Sequence, residues 1–448
     1  MQGRILLTAT GSGSGKTTVT MALIKALSMK GLKVVSYKCG PDYIDPMYHR
    51  QTLGIPAYNL DPFFCPKDEL CEILQRSLLG KDIGVMEGVM GYYDGIGLEG
   101  NFGTREVAME TQTPAILILD AKGMSNSVGA VLHGFKNYKG DSQLKGVIFN
   151  KVSKGMYPLL SEIAKEEGFL PLGYMPYNPA ISLESRYLGL VTAKETEGIS
   201  KKIRMLGEMA LENLDTEGII ALANTAGKIK HQEALKQELP TGKKVKLAVA
   251  RDEAFCFLYE ENLDMLSEMG CEILFFSPIS DESLPSECDG LYLPGGYPEL
   301  YKERLSENVQ MRSSVKKAVE NGLPTIAECG GFLYLHESLE GVPFVGVIGG
   351  AATKQEKLVR FGYGTMEAKS NGLLLKKGDS IRIHEFHYYD SEQNGNDFEI
   401  TKASNGKKYE CAYSTDTLYA GYPHLYFRAN KEVAKNFVGA MRTYRGLE

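Results

Sequence analysis

Tryptophan is absent from the chain, no two cysteines form a C-x-x-C pair, no block of Lys and Arg builds up, and long apolar runs are missing. The missing tryptophan excludes nothing by itself; the other three absences each remove a class of function. The eight cysteines (Cys39, Cys65, Cys71, Cys256, Cys271, Cys288, Cys329, Cys411) are scattered without metal-finger spacing, so most are expected to be reduced core residues. Lys and Arg number 50 against 56 Asp and Glu, a formal charge of −6. With no basic stretch, nucleic acid is not an expected partner. A spanning helix needs about 18 consecutive apolar residues and none is present, so no membrane partner is expected. The opening MQGRILLTATGSGSGKTT reads as a strand and loop rather than a signal peptide, and a cytoplasmic protein is expected.

What is present suffices for more than one core: 448 residues, 43% of them hydrophobic. Short β-rich runs (GRILLTA, LKVVSYK, DIGVMEGVM, PAILILD, KGVIFNKV) alternate with helical periodicity such as KTTVTMALIKALSMKG, the pattern of a parallel α/β sheet. Residues 224–244 turn polar and lose β character. A second α/β series then restarts with KVKLAVAR, CEILFFSP, GLYLPGG and LPTIAECGG. The expected organisation is a first domain over 1–225, a linker over 226–243 and a second domain over 244–448.

The first strand, residues 5–8, runs into Thr10-Gly11-Ser12-Gly13-Ser14-Gly15-Lys16-Thr17-Thr18 and then into an amphipathic helix. This is the setting of a phosphate-binding loop: glycines let successive N–H groups turn toward one anion, and the helix adds its positive end. Lys16 would reach the β- and γ-phosphates and the Thr17 hydroxyl would bind Mg²⁺. The first glycine of G-x-x-x-x-G-K-[ST] is replaced by Thr10, which bears on the outer edge of the loop only. Partition-type ATPases carry an extra lysine where this chain has Gly11, which weighs against a dimerising switch.

Two further strands end in carboxylates. Lys38-Cys39-Gly40-Pro41-Asp42-Tyr43-Ile44-Asp45-Pro46 offers Asp42 or Asp45 to a Mg²⁺ ion and Lys38 to a transferred phosphoryl group. A strand over 83–86 delivers Glu87, a second candidate metal ligand, among glycines. Ligands of open α/β sheets gather at this edge. Asn150, after another strand, could present its amide to an adenine edge. The segment 39–64, with Tyr48, His49 and Arg50, is a candidate substrate wall.

In the second half, Ala327-Glu328-Cys329-Gly330-Gly331-Phe332 places a cysteine between an apolar strand and a helical run, the layout of a nucleophile elbow. A helix N-terminus there would stabilise its thiolate. Upstream, Leu293-Pro294-Gly295-Gly296-Tyr297 ends another strand, and backbone N–H groups at Gly296 and Gly330 could form an oxyanion hole. Among seven histidines, His424 is the candidate general base, with His384 and His387 as rivals; none stands in an H-E-x-x-H zinc motif.

Together, segments 10–18, 38–46, 87–95, 294–301, 327–335, 384–388 and the stretch around His424 resemble the cobyrinate a,c-diamide synthase family over nearly the whole chain. The resemblance implies a P-loop NTPase-like, dethiobiotin-synthetase-like ATP domain fused to a class I glutamine amidotransferase-like domain. It further implies ATP and Mg²⁺ as cofactors, and L-glutamine and a tetrapyrrole polycarboxylate as partners, a homodimer being left open. Cys329 and His424 match the family's glutaminase pair. Class I amidotransferases usually carry a Glu two residues after the histidine, where this chain has Tyr426, so the third member is not identified. Position 187 holds Tyr187 where the family stretch would have His. The implied reaction is ATP- and glutamine-dependent amidation of the a and c acetates of cobyrinate through an acyl phosphate. The same chemistry on hydrogenobyrinate or Ni-sirohydrochlorin is an alternative, and a P-loop ATPase switch with an inactive second domain is one of a different class.

Overall fold

Strand β1 (Gly3–Ala9) is buried along its whole length, as the central strand of a parallel sheet covered on both faces must be. The computed structural model describes residues 3–140, 142–179, 193–229 and 243–447. It divides into two units, Met1–Ala234 and Leu235–Glu448.

In the first unit β1 is joined by β2 (Val34–Cys39), β3 (Ala57–Leu60), β4 (Ile83–Glu87), β5 (Ala115–Asp120), β6 (Leu144–Asn150) and β7 (Leu170–Met175). The order across the sheet is β3-β2-β4-β1-β5-β6-β7, and every pairing is parallel. Helix α1 (Lys16–Met29) follows β1 through Gly15, whose φ of 90° is a left-handed conformation that glycine adopts without steric cost. Val19, Ala22, Leu23, Ile24, Ala26 and Leu27 of α1 join Ile5, Leu7, Val85 and Ile118 in one buried cluster. At roughly 1.5–3 kcal/mol for each large apolar side chain, this burial anchors the helix that ends the phosphate loop. In register, Leu7 faces Glu87 and Glu87 faces Lys38, so three chemically loaded strand ends share one edge.

The second unit has a six-stranded sheet in which β8 (Val245–Ala250), β9 (Cys271–Phe276), β10 (Gly290–Leu293), β11 (Thr325–Glu328) and Leu418–Gly421 are parallel, with β11 between β10 and Leu418–Gly421. Residues 336–425 also contribute a four-stranded sheet and a five-stranded one. In the latter Arg360–Ala368 pairs with Ser380–His387, which pairs in turn with His424–Leu425.

The strands and helices expected from periodicity are present, and β3, β7 and the two smaller sheets are additions. Segment 39–64 is not a loop. It folds into helix Ile44–Tyr48, a π turn His49–Leu53 and β3. Tyr48 and His49 are fully buried, so they line no surface open to a substrate. The expected linker lies mostly, and Tyr187 wholly, outside the described residues.

Candidate active sites

In the first unit the phosphate loop, the end of β2 and the end of β4 converge. Lys16 Nζ folds back onto the Gly11 carbonyl at 3.0 Å, and Ser14 Oγ donates to the same oxygen at 3.0 Å. Gly13 has a φ of 78°. A Cβ at Gly11 or Gly13 would meet nothing within 4 Å, so the loop's outer face is open, while Ser12 and Gly13 are exposed. Thr18 continues the first turn of α1.

Thr17 Oγ1 donates to Glu87 Oε1 at 2.7 Å, linking the first residues of α1 to the end of β4. Lys38 Nζ lies 2.8 Å from the same Oε1, hydrogen-bonds Asp45 and sits 3.8 Å from Asp42. Burial would discharge the Lys38 ammonium, but Glu87, Asp45 and Asp42 outweigh it and hold its pKa well above 10.5. Glu87 is driven up to about 7 by burial, partly offset by Lys38. Asp42 rises to about 6 through burial and its neighbour Asp45. The cluster is therefore poised to accept a change in local charge.

Asp42 and Asp45 are turned toward Lys38, and Asp42 also accepts the Ile44 N–H at 2.9 Å. Among the described residues no group of three or more His, Cys, Asp or Glu side chains is placed to hold a metal by itself. The donor set that fits Mg²⁺ is smaller: the Thr17 hydroxyl and Glu87, whose buried Oε2 makes no hydrogen bond. Mg²⁺ at phosphate sites takes one or two protein oxygens and completes its octahedron with phosphate and water.

Asn150, expected to present its amide to an adenine edge, also contacts the phosphate loop. Its Nδ2 donates to the Ser14 carbonyl at 2.9 Å and its Oδ1 accepts the Lys151 N–H at 3.0 Å, which leaves one N–H and one lone pair of the amide. It clamps the phosphate loop from β6. His49, expected in a substrate wall, instead hydrogen-bonds Ser36 at 3.0 Å and approaches Glu87 Oε2 at 3.9 Å. Burial lowers its pKa to about 4, so it backs the cluster as a neutral ring.

In the second unit Cys329 ends β11 with φ 47° and ψ −99°, a strained conformation for a non-glycine residue and one associated with functional turns. Its N–H donates to Gly421 O at 2.8 Å. A Cβ at Gly330 would lie 2.9 Å from Gly296 N, and one at Gly331 only 2.1 Å from Leu293 O, so the elbow requires both glycines. Gly330 and Gly296 thus sit side by side. The Gly296 N–H has no hydrogen-bond acceptor among the described residues, as an oxyanion hole requires, and the Gly330 N–H is directed at the Cys329 sulfur. The helix after the elbow is short, Gly330–Leu335. Burial, then Glu299, pushes the thiol well up and outweighs the lowering by the Gly330 N–H at the helix start, so the resting sulfur keeps its proton.

His424 follows Leu418–Gly421, the strand paired with β11. Gly295 lies against it, since a Cβ there would come 2.4 Å from His424 Cε1, and Gly330 packs on the same Pro294–Gly296 turn. The imidazole and the elbow therefore meet at one turn. Burial, then His384 and His387, drives the His424 pKa down to about 3, leaving a neutral ring able to take a proton. The rivals are close by: His384 is the strand partner of His424, and His387 stacks on Tyr422 at 3.8 Å. Tyr426, at the position of the usual glutamate, is buried against Tyr259 with ring centroids 4.9 Å apart.

The sequence reading passed over Glu328. It is fully buried, its Oε1 accepts the Leu425 N–H at 3.1 Å, its Oε2 accepts Tyr292 OH at 3.1 Å, and the same Oε2 is 3.8 Å from His424 Nδ1. A carboxylate at the end of an otherwise apolar strand was the signal that could have found it.

Comparison with known proteins matches residues 5–190 to the CobQ/CobB/MinD/ParA nucleotide binding domain and residues 246–432 to the CobB/CobQ-like glutamine amidotransferase domain. These matches identify the two units as a P-loop NTPase-like nucleotide-binding domain and a glutamine amidotransferase-like domain. The chain is 36% identical over 445 residues to cobyrinate a,c-diamide synthase of Priestia megaterium, covering 97% of this chain and 96% of that protein. It is 37% identical over 443 residues to the enzyme of that name from Clostridium acetobutylicum (97% and 99% covered), and 38% identical over 443 residues to that from Thermoplasma volcanium (97% and 96% covered). Sharing both domains in one order and end-to-end similarity of this degree, the chain belongs to the cobyrinate a,c-diamide synthase family of glutamine-hydrolysing carbon–nitrogen ligases.

Proposed function

We propose that this chain amidates the a and c acetate carboxylates of cobyrinate, consuming ATP in a domain spanning 1–225 and glutamine in a domain spanning 244–448. A carboxylate is too poor an electrophile to accept ammonia. Transfer of the γ-phosphoryl group to one of its oxygens, with release of ADP, makes a mixed anhydride that ammonia can attack, expelling phosphate. Lys16 and Lys38 hold the charge of the phosphoryl group, and the loop N–H groups from Gly11 to Thr18 position it. Thr17 and Glu87 would hold Mg²⁺, which supplies charge neutralisation at the phosphates when bound.

In the amidotransferase domain the Cys329 proton passes to His424 as sulfur bonds to the glutamine side-chain carbonyl carbon. The N–H groups of Gly296 and Gly330 receive the oxyanion. His424 returns the proton to the departing amine, ammonia leaves, and water hydrolyses the thioester to glutamate. Two cycles give the diamide. A thiol kept protonated by burial beside a neutral imidazole supports this direction of proton flow.

The observation that carries the reading is the pairing, in one chain alignable end to end with cobyrinate a,c-diamide synthases, of a Lys16–Thr17–Glu87 phosphate edge with a strained Cys329 elbow. The test is incubation with ATP, Mg²⁺ and either glutamine or ammonium, offering cobyrinate, hydrogenobyrinate and Ni-sirohydrochlorin in turn and following acid-to-amide mass shifts. Cys329→Ala should lose amidation from glutamine and keep it from ammonium. Absence of glutaminase turnover in the parent protein would defeat the proposal and favour an ATPase switch.

A further inference from the structure

Glu328 occupies a position that neither glutamine hydrolysis by a cysteine–histidine pair nor packing alone accounts for. A carboxyl group in a fully buried strand end is expensive to maintain, and an apolar residue of similar volume would fill the space without desolvating a charge. Its oxygens are held from two sides, by the Leu425 N–H and by the Tyr292 hydroxyl, so its orientation is fixed. That orientation brings Oε2 to 3.8 Å from His424 Nδ1. The Leu425 amide belongs to the residue right after His424, so the same carboxyl grips the histidine's backbone and faces its ring. Tyr426, where the usual acid would stand, is committed to Tyr259.

We infer that Glu328 is the positioning residue of the glutaminase centre, holding the His424 ring by its Nδ1 edge and leaving Nε2 for the proton exchanged with Cys329. The inference rests on the assignment of Cys329 and His424 as the reacting pair. The separation of 3.8 Å exceeds a hydrogen bond, and such contacts in ligand-free sites shorten when substrate binds. The groups facing the pair are Tyr292 and the Leu425 amide on the carboxyl side and His384 and His387 on the ring side.

Glu328→Gln keeps the carbonyl that accepts from Leu425 and an amide beside Tyr292, so it preserves packing while removing the ionisable group. Glutaminase kcat in this variant is expected to fall by roughly 10²- to 10⁴-fold with KM for glutamine little changed, the range seen when a triad acid is neutralised. The pH profile of kcat/KM should lose one limb, while melting temperature and ammonium-dependent amidation stay near those of the parent. Glu328→Asp, which keeps the carboxyl group but withdraws it, should fall between. Parent-like kcat and pH profile in Glu328→Gln would overturn the inference, leaving the carboxyl a structural bridge. If that variant does not fold, parent-like kcat in Glu328→Asp overturns it equally. Retained glutaminase turnover in Cys329→Ala or His424→Ala would instead defeat the reacting pair, and the inference with it.

Discussion

Gly15→Ala is the substitution that most directly tests the phosphate loop. At φ 90°, an alanine would sit in the left-handed region, at a cost of roughly 1–2 kcal/mol. Its methyl would also come 2.2 Å from Asn150 Nδ2, a distance no real pair tolerates, so the amide must swing away and give up its bond to the Ser14 carbonyl. That loss adds about 1 kcal/mol. If the loop relaxes to escape both penalties, ATP must restore it on binding, and 2–3 kcal/mol translates into a Kd weakened roughly 30- to 150-fold. Isothermal titration with a non-hydrolysable ATP analogue measures this, with a thermal melt confirming that the variant is folded. Asn150→Ala removes the clamp but also the collision, so the double variant should be better than the sum of the singles by about 1 kcal/mol. Binding by Gly15→Ala within about threefold of the parent, or strict additivity in the double variant, would refute the claim that Asn150 holds the loop.

Lys38→Met leaves Glu87 and Asp45 buried without their cation, and loss of one partner of such a cluster costs about 3–5 kcal/mol. Its melting temperature should fall, and ammonium-dependent amidation should disappear; a parent-like melt would contradict the ion cluster. Thr17→Ala should raise the Mg²⁺ concentration needed for half-maximal amidation while Thr17→Ser restores it, as a titration of Mg²⁺ at fixed ATP will reveal. Glu328 predicts a pH dependence of stability. Burial lifts its pKa from 4.5 to about 8, so the folded chain retains a proton that the unfolded chain releases. Its contribution is therefore lost as pH rises from about 4.5 to about 8, and melts across that window should show a slope that Glu328→Gln lacks.

The parallel strands were legible because their side chains are apolar on both faces and their ends carry Gly, Asp, Glu and Lys in a fixed order. That is why Lys38, Glu87 and the Thr17 helix start could be assigned to one edge before any coordinates. The 336–425 region was less legible. Its strands are partly exposed and unequal in length, and His384 and His424 become neighbours only through a cross-strand pairing some 40 residues apart in the chain. Asn150 was seen as a ligand contact because its residue type and place at a strand end permit that. Only its neighbours reveal that the amide also ties the phosphate loop to the end of β6. Glu328 escaped notice because a residue beside a catalytic candidate is read as context, and strand alternation gives its face but not what lies opposite.

The hydrogen bond from the Cys329 amide to Gly421 couples two pieces of chemistry mechanically. Gly421 stands three residues before His424, so the sulfur's own backbone is riveted to the short arm that carries the ring. With β11 and Leu418–Gly421 also paired along their length, a shift of either strand is handed to the other through the backbone.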